Sequence, residues 1–134
     1  MFKVVLYENE SGYSELFQQL CNLEERARTI KDARIKLGQI KLCVDLLKLK
    51  GTRLPNTILK HLANNIWELR PGKNRILFFY NKQINEFVLL HMFVKKTQKT
   101  PKQEIEKAIR EMEDCILRNG GKKDENMGRS NWRT

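Results

Sequence analysis

The feature that most restricts the fold is a pair of amphipathic helical patterns that follows one short strand-like segment. Residues 2–7 are rich in β-branched and aromatic side chains and end in turn-forming residues, which predicts a first strand. Apolar residues then recur at steps of three and four over residues 13–28 and again over residues 30–47, with a break near Thr29. Two such helices form a hairpin with one apolar stripe, and that stripe needs a sheet to cover it.

Three further strand-like segments supply this sheet. They span residues 65–70, 75–80 and 86–95, and turn-forming residues separate them at 71–74 and 81–85. Short apolar segments with such connections are typical of an antiparallel meander. The sequence therefore predicts an α+β fold of the order β-α-α-β-β-β-α, in which a small, twisted, mainly antiparallel sheet packs on the helical hairpin.

Local signals predict where the helices begin and end. Ser11 is expected to cap the first helix, and Gly51 is expected to end the second. Thr100 and Pro101 combine a capping hydroxyl with a proline at the first helical position, which predicts a third helix that runs to about Arg118.

The length of 134 residues suits one domain. Residues 1–118 carry the helix and strand patterns, whereas residues 119–134 hold few apolar groups and are expected to form a disordered tail. Cys21, Cys43 and Cys115 are odd in number and lie in apolar helical patterns, so they are expected to be small core residues and not disulfides or zinc ligands. The sequence shows neither a signal peptide nor a membrane span, which predicts a cytoplasmic protein without a membrane partner.

Positive charge is concentrated in the middle of the chain. The formal net charge of the whole sequence is +10, and residues 48–102 alone hold 12 Lys and Arg but only two acids, Glu68 and Glu86. This block therefore accounts for the entire excess of cations. Such segregation is typical of a nucleic-acid partner. The alternative is a solvated face that meets an acidic partner protein.

Several of these cations gather where the last strand ends and the third helix begins. His91, Lys95, Lys96 and Lys99 all lie on this stretch. Cations at a strand end repel one another, so a bound polyanion is the simplest reason for their presence, and phosphate is the obvious candidate.

The strands and the segment after them resemble a known family. Residues 67–70, 75–80 and 89–101 are similar to the RelE/ParE toxin superfamily of bacterial toxin–antitoxin pairs, and in particular to its phage-derived, HigB-like branch. The most specific part is the run at 93–101. The resemblance covers about residues 2–118.

This resemblance implies a toxin that cuts messenger RNA on the ribosome and is silenced by a small helix-turn-helix, HigA-like antitoxin. Two departures from the family pattern lie near the expected site: Met92 replaces a common glycine, and Asn74 replaces an aromatic or aliphatic residue. The alternatives are a ParE-like gyrase inhibitor, an inert protein of the same fold that only binds an antitoxin, and an accessory RNA-binding protein.

The chemistry of RNA cleavage indicates roles for the basic residues. The enzyme must take the proton of the attacking 2′-hydroxyl, stabilise charge on the phosphate and protonate the leaving 5′-oxygen, and neither a metal nor a cofactor is needed. Arg70 and Arg75 flank a four-residue turn, where guanidinium groups can clamp phosphate, and Arg75 is the first choice for transition-state charge. If the strand continues through Lys95 and Lys96, their side chains alternate, so Lys95 is the catalytic candidate and Lys96 contacts RNA.

Candidates for proton transfer are His91 and Tyr80. Histidine readily carries a proton near neutral pH, and His91 shares strand parity with Lys95, although a core histidine is the alternative. Tyr80 is expected either to act on the RNA or to cover the core. Because the basic block holds no pair of carboxylates, acid and base roles are expected to fall to His, Lys or Tyr. The remaining RNA-binding candidates are Lys73, Lys99, Lys102 and His61, the last in a loop before the sheet.

Overall fold

Three α-helices and five strands make up residues 1–118, the part of the chain that this computed structural model describes. In chain order the elements are β1 (Lys3–Leu6), α1 (Glu15–Ala27), α2 (Lys31–Lys50), β2 (Leu59–Ala63), β3 (Ile66–Leu69), β4 (Asn74–Asn81), β5 (Glu86–Val94) and α3 (Lys102–Leu117). The α+β class is confirmed, with one strand more than predicted. The expected tail, residues 119–134, lies outside the described residues.

The five strands form one mixed sheet in the order β1-β5-β4-β3-β2. β1 pairs with β5 in parallel, and the other pairs are antiparallel. The hairpin of α1 and α2 covers one face and α3 covers the other, so two apolar clusters flank the sheet. β4 and β5 are buried on both faces, which explains their nearly continuous apolar sequences. None of the helices within residues 1–118 has the length and apolar character to cross a membrane.

β2 is the strand that the sequence patterns did not predict. The expectation of a loop around His61 is wrong, because β2 pairs with β3 through a two-residue turn at Asn64 and Asn65. Asn64 has a φ of 50°, a left-handed conformation that asparagine tolerates better than most residues. The asparagine pair between two apolar segments is the signal that identifies this hairpin.

Helix ends follow the sequence in part. The N-cap of α1 is Ser14 and not Ser11, since the Ser14 hydroxyl accepts a hydrogen bond from the backbone N–H of Phe17 at 3.0 Å. Gly51 ends α2, as predicted, with a φ of 62°. A Cβ at this position would lie 2.7 Å from the ring of Phe2, so both the backbone and the packing require glycine.

A β-bulge interrupts the pairing of β4 with β5. Leu77 pairs with His91 and the next residue, Phe78, pairs with Leu89, which leaves Leu90 as the extra residue. Leu89 packs with the helical hairpin and Leu90 packs on the side of α3. The bulge reverses the alternation of side chains, so His91 faces α3 and does not share the face of Leu89.

Candidate functional site

A basic cleft lies where β3, β4 and β5 end beside the start of α3. Of its lining residues within residues 1–118, five are cations and one is an acid. Its enclosed volume is only about 10 Å³, which is about the space of one water molecule. The lining residues are Glu68, Arg70, Arg75, Phe93, Lys95, Lys96, Thr97, Gln98, Lys99, Thr100 and Pro101.

Arg75, at the start of β4, is held rigidly in this cleft. Only 7% of the residue is exposed, and its Nη1 donates hydrogen bonds to the carbonyls of Gly72 and Asn74, both at 2.8 Å. Burial lowers the pKa of Arg75, Glu68 opposes that effect, and Arg70 adds to it. The guanidinium still remains charged at neutral pH, because arginine titrates only above about pH 12.

Glu68 is the site residue that the sequence patterns missed. It lies on β3 with 2% of its surface exposed, and its Oε1 is 3.5 Å from the Nε of Arg70 and 3.9 Å from the Nε of Arg75. Thr100 donates a hydrogen bond from its hydroxyl to Oε2 of Glu68. Glu68 therefore compensates part of the charge of Arg70 and Arg75. The sequence did contain a signal for the role of Glu68: it is a carboxylate within an apolar strand, and a buried charge requires partners.

The contact with Glu68 also corrects the predicted cap of α3. The hydroxyl of Thr100 is used by Glu68, and the N-cap position is taken by Pro101, which makes no side-chain hydrogen bond there. Thr100 therefore ties the chain that leads into α3 to the floor of the cleft.

Three lysines line the cleft from the connection between β5 and α3. β5 ends at Val94, so the strand does not continue through Lys95 and Lys96, and both line the cleft together with Lys99. The backbone N–H of Lys95 donates to the carbonyl of Lys73 at 2.8 Å, which places the turn between β3 and β4 beside this connection.

His91, a candidate for proton transfer, does not line the basic cleft. It is 2% exposed and faces α3, where its Nδ1 is 2.6 Å from Oε1 of Glu111 and its Nε2 is 3.0 Å from Oε1 of Glu104. Both ring nitrogens are thus engaged by carboxylates of the helix. The geometry agrees with the alternative of a core histidine with satisfied hydrogen bonds.

Three other candidates also lie elsewhere. Tyr80 is five residues from Arg75 along β4, a distance of roughly 17 Å in a strand. His61 is on β2, with its ring centroid 4.9 Å from that of Trp67. Lys102 is 90% exposed and its Nζ lies 4.0 Å from Glu106, so it does not line the cleft.

A second depression, here called the side groove, lies between the helical hairpin and the end of β5. Its volume is about 270 Å³, and Met92 and Asn74 are among the residues that line it. Phe93 borders the side groove and the basic cleft. The complete lining consists of Gln19, Asn22, Leu23, Arg26, Lys36, Asn74, Met92, Phe93 and Val94.

All three cysteines lie within residues 1–118 and are free thiols. Cys43 and Cys115 are buried, as predicted, and Cys21 is half-buried. Burial raises the pKa of Cys43, an effect that Arg75 partly offsets, and raises the pKa of Cys115 to about 12. Thiols of this kind are poor nucleophiles at neutral pH. Within residues 1–118, no group of three or more His, Cys, Asp or Glu side chains is placed to hold a metal ion.

Comparison with known families supplies a match for most of this site. The family model described as "Phage derived protein Gp49-like (DUF891)" matches residues 32–113. The matched span begins in α2 and includes all the residues that line the basic cleft. A search of curated proteins gave no match.

Proposed function

The chain belongs to the phage-derived Gp49-like family, part of the RelE/ParE-like toxin superfamily, and from this premise we propose that it is a ribosome-dependent mRNA endonuclease of the HigB-like branch. Members of the family are generally toxins of toxin–antitoxin systems. In this proposal the chain is the toxin of a type II pair, acts in the cytoplasm, and carries its activity in one domain, residues 1–118.

The observation that carries the proposal is the convergence of cations on one cleft. Arg70, Arg75 and the three lysines of the β5–α3 connection line the same small space, and Glu68 offsets only part of their charge. Folding gains little from this arrangement, because like charges repel at short range. A phosphodiester supplies the missing negative charge and fits the bidentate geometry of guanidinium groups.

Arg75 is proposed to stabilise the charge that builds on the scissile phosphate. Its Nη1 is occupied by two backbone carbonyls and its Nε faces Glu68, which fixes the plane of the guanidinium. We propose that the N–H groups of Nη2 meet a phosphate oxygen. Donors held in place before the reaction are typically worth about 10²- to 10³-fold in rate.

Proton transfer is proposed to involve groups inside the cleft. Because His91 and Tyr80 lie outside it, the titratable groups that remain near the phosphate are Glu68 and the lysines. Lys95 is our choice for contact with the reacting ribose, and Lys96 and Lys99 for the flanking backbone phosphates. Lys73 is proposed to extend this contact from the adjacent turn.

A purified translation system tests the proposal. We expect wild-type protein to cut a reporter mRNA, and the double variant Arg75→Ala, Lys95→Ala to lose at least about 100-fold of that activity. The exposed Lys82→Ala, in the β4–β5 turn at the other end of the sheet, is the matched control. Full cleavage by the double variant would refute the assignment of these residues.

One further variant separates catalysis from folding, and a DNA-damage assay addresses the gyrase alternative. Lys95→Ala, Lys96→Ala alters two side chains outside any strand, so we expect wild-type thermal stability together with reduced cleavage. DNA damage with intact transcripts would instead support a ParE-like gyrase inhibitor.

An antitoxin is the partner that this family implies. We propose a helix-turn-helix, HigA-like protein whose acidic side chains cover the basic cleft, since the cleft lining has a strong positive excess. Acetylation of lysines followed by mass spectrometry tests this: Lys95 and Lys96 should be protected in the complex and Lys82 should not. A complex that leaves the two cleft lysines fully reactive would contradict it.

A further inference from the structure

The basic cleft and the side groove share a rim at the end of the β4–β5 pair. In the register of these strands, Asn74 pairs with Val94 and Arg75 pairs with Phe93. Arg75 lines the cleft, whereas Asn74 and Val94 line the side groove, and Phe93 borders both. An RNA strand with a phosphate in the cleft therefore has a neighbouring nucleotide within reach of the side groove.

The two spaces differ in what they can hold. The cleft encloses only about 10 Å³ and is dominated by charged side chains, so it suits a phosphate held at its mouth and not a base. The side groove, with about 270 Å³, is wide enough for one planar ring system and is open to the surface. The bases of a bound RNA must lie outside the cleft, and the side groove is the adjoining space.

The polar lining of the side groove suits the edge of a nucleobase. Gln19, Asn22 and Asn74 each offer an amide with donors and an acceptor, the pattern that recognises base edges. Oε1 of Gln19 is buried and has no hydrogen-bond partner within residues 1–118. A buried acceptor without a partner is costly, and an amino or ring N–H group of a base would satisfy it.

The rest of the lining suits the face of a base and its phosphate. Met92 provides a polarizable thioether, which packs well on a flat π-system. Arg26 and Lys36 add two cations from the helical hairpin, which can hold the next phosphate along the strand.

We propose that the side groove is a nucleobase subsite, which binds a base next to the scissile phosphate and sets the base preference of cleavage. The proposal rests on the proposed RNA-cleaving function. Gln19 is the residue that reads the base edge, with Asn22 and Asn74 beside it, and Met92 contacts the base face.

Cut-site mapping on a translated mRNA provides the first test. Gln19→Met keeps the length of the side chain but removes its amide, and Gln103→Met, on the exposed first turn of α3, is the matched control. We expect Gln19→Met to change the ratio of cleavage at preferred and disfavoured bases by about tenfold, in line with the worth of one good base-edge contact. The control should keep the wild-type pattern.

Binding of short RNA gives a readout that does not need cleavage. The probe is a fluorescent RNA hexamer with a 2′-deoxy residue that blocks the attack, either intact or with an abasic residue on one side of that position. For wild type, anisotropy should show weaker binding of one abasic probe, and Gln19→Met should bind that probe and the intact probe equally.

The outcomes separate the two proposals. Cleavage by wild type with an unchanged cut pattern and an unchanged abasic effect in Gln19→Met would overturn the subsite and leave the nuclease standing. If the wild-type protein never cuts mRNA but binds one abasic probe more weakly, and Gln19→Met removes that difference, the result would support the subsite and reject the nuclease. Wild-type protein without cleavage and without an abasic effect would reject both.

Discussion

Replacing Glu68 with glutamine removes the acid that neutralises the floor of the basic cleft. The side chain of Arg75 is 9% exposed and that of Arg70 is 24% exposed, so Arg75 loses the most when the carboxylate disappears. Breaking a buried ion pair in this way typically costs about 3–5 kcal/mol.

Two features of the site place the expected cost at the low end of that range. The ion-pair distances of 3.5 and 3.9 Å are long, and Arg75 keeps its hydrogen bonds to the carbonyls of Gly72 and Asn74. Glutamine also retains an oxygen that can accept from Thr100. We therefore expect Glu68→Gln to lower the free energy of unfolding by about 3 kcal/mol, or the melting temperature by roughly 10 °C.

Urea denaturation monitored by circular dichroism measures this loss. The control is Glu106→Gln, because Glu106 is 53% exposed and its ion pair with Lys102 is 4.0 Å long, so its removal should cost less than about 0.5 kcal/mol. In an Arg75→Met background the cost of Glu68→Gln should fall by at least about half, since the main uncompensated cation is gone. A cost below about 0.5 kcal/mol in the wild-type background, or one that Arg75→Met leaves unchanged, would refute the reasoning.

Three smaller predictions follow from the same structure. Gly72→Ala should destabilise the protein by about 1–2 kcal/mol, because φ is 57° at this position. Gly38→Ala, inside α2 with open space around it, should instead stabilise the protein by up to about 1 kcal/mol. Urea titration measures both changes in the free energy of unfolding, and changes of the opposite sign would contradict the role of φ. Hydrogen bonds from Arg118 and Tyr7 hold the pKa of Asp114 below its ordinary 3.8, so its contribution to stability is present above that pH and is lost as the pH falls further. The difference in the free energy of unfolding between wild type and Asp114→Asn should therefore shrink in acid. A difference that grows in acid would contradict a lowered pKa. Since burial raises the pKa of Cys115 from 9.0 to about 12, its alkylation at pH 8 should be roughly a thousandfold slower in the folded than in the urea-unfolded protein, and similar rates in the two states would reject the buried thiol.

The sequence by itself determined the features that depend on neighbours along the chain. The helical hairpin, the three central strands and the end of α2 at Gly51 follow from apolar spacing and turn residues, which act over a few positions. The placement of Arg70 and Arg75 together belongs to this class, because one short turn joins their strands. The cluster of lysines after β5 is visible in the sequence for the same reason.

Only the tertiary structure decided which of these groups share a site. One partner of Glu68, Thr100, lies 32 residues away along the chain. The bulge at Leu90 turns His91 to the glutamates of α3. Gln19 and Met92 both line the side groove, although they belong to a helix and a strand far apart in the chain. Periodicity records which residues are buried, but the register between strands and the packing of helices on the sheet depend on contacts between distant segments, and no local pattern specifies them.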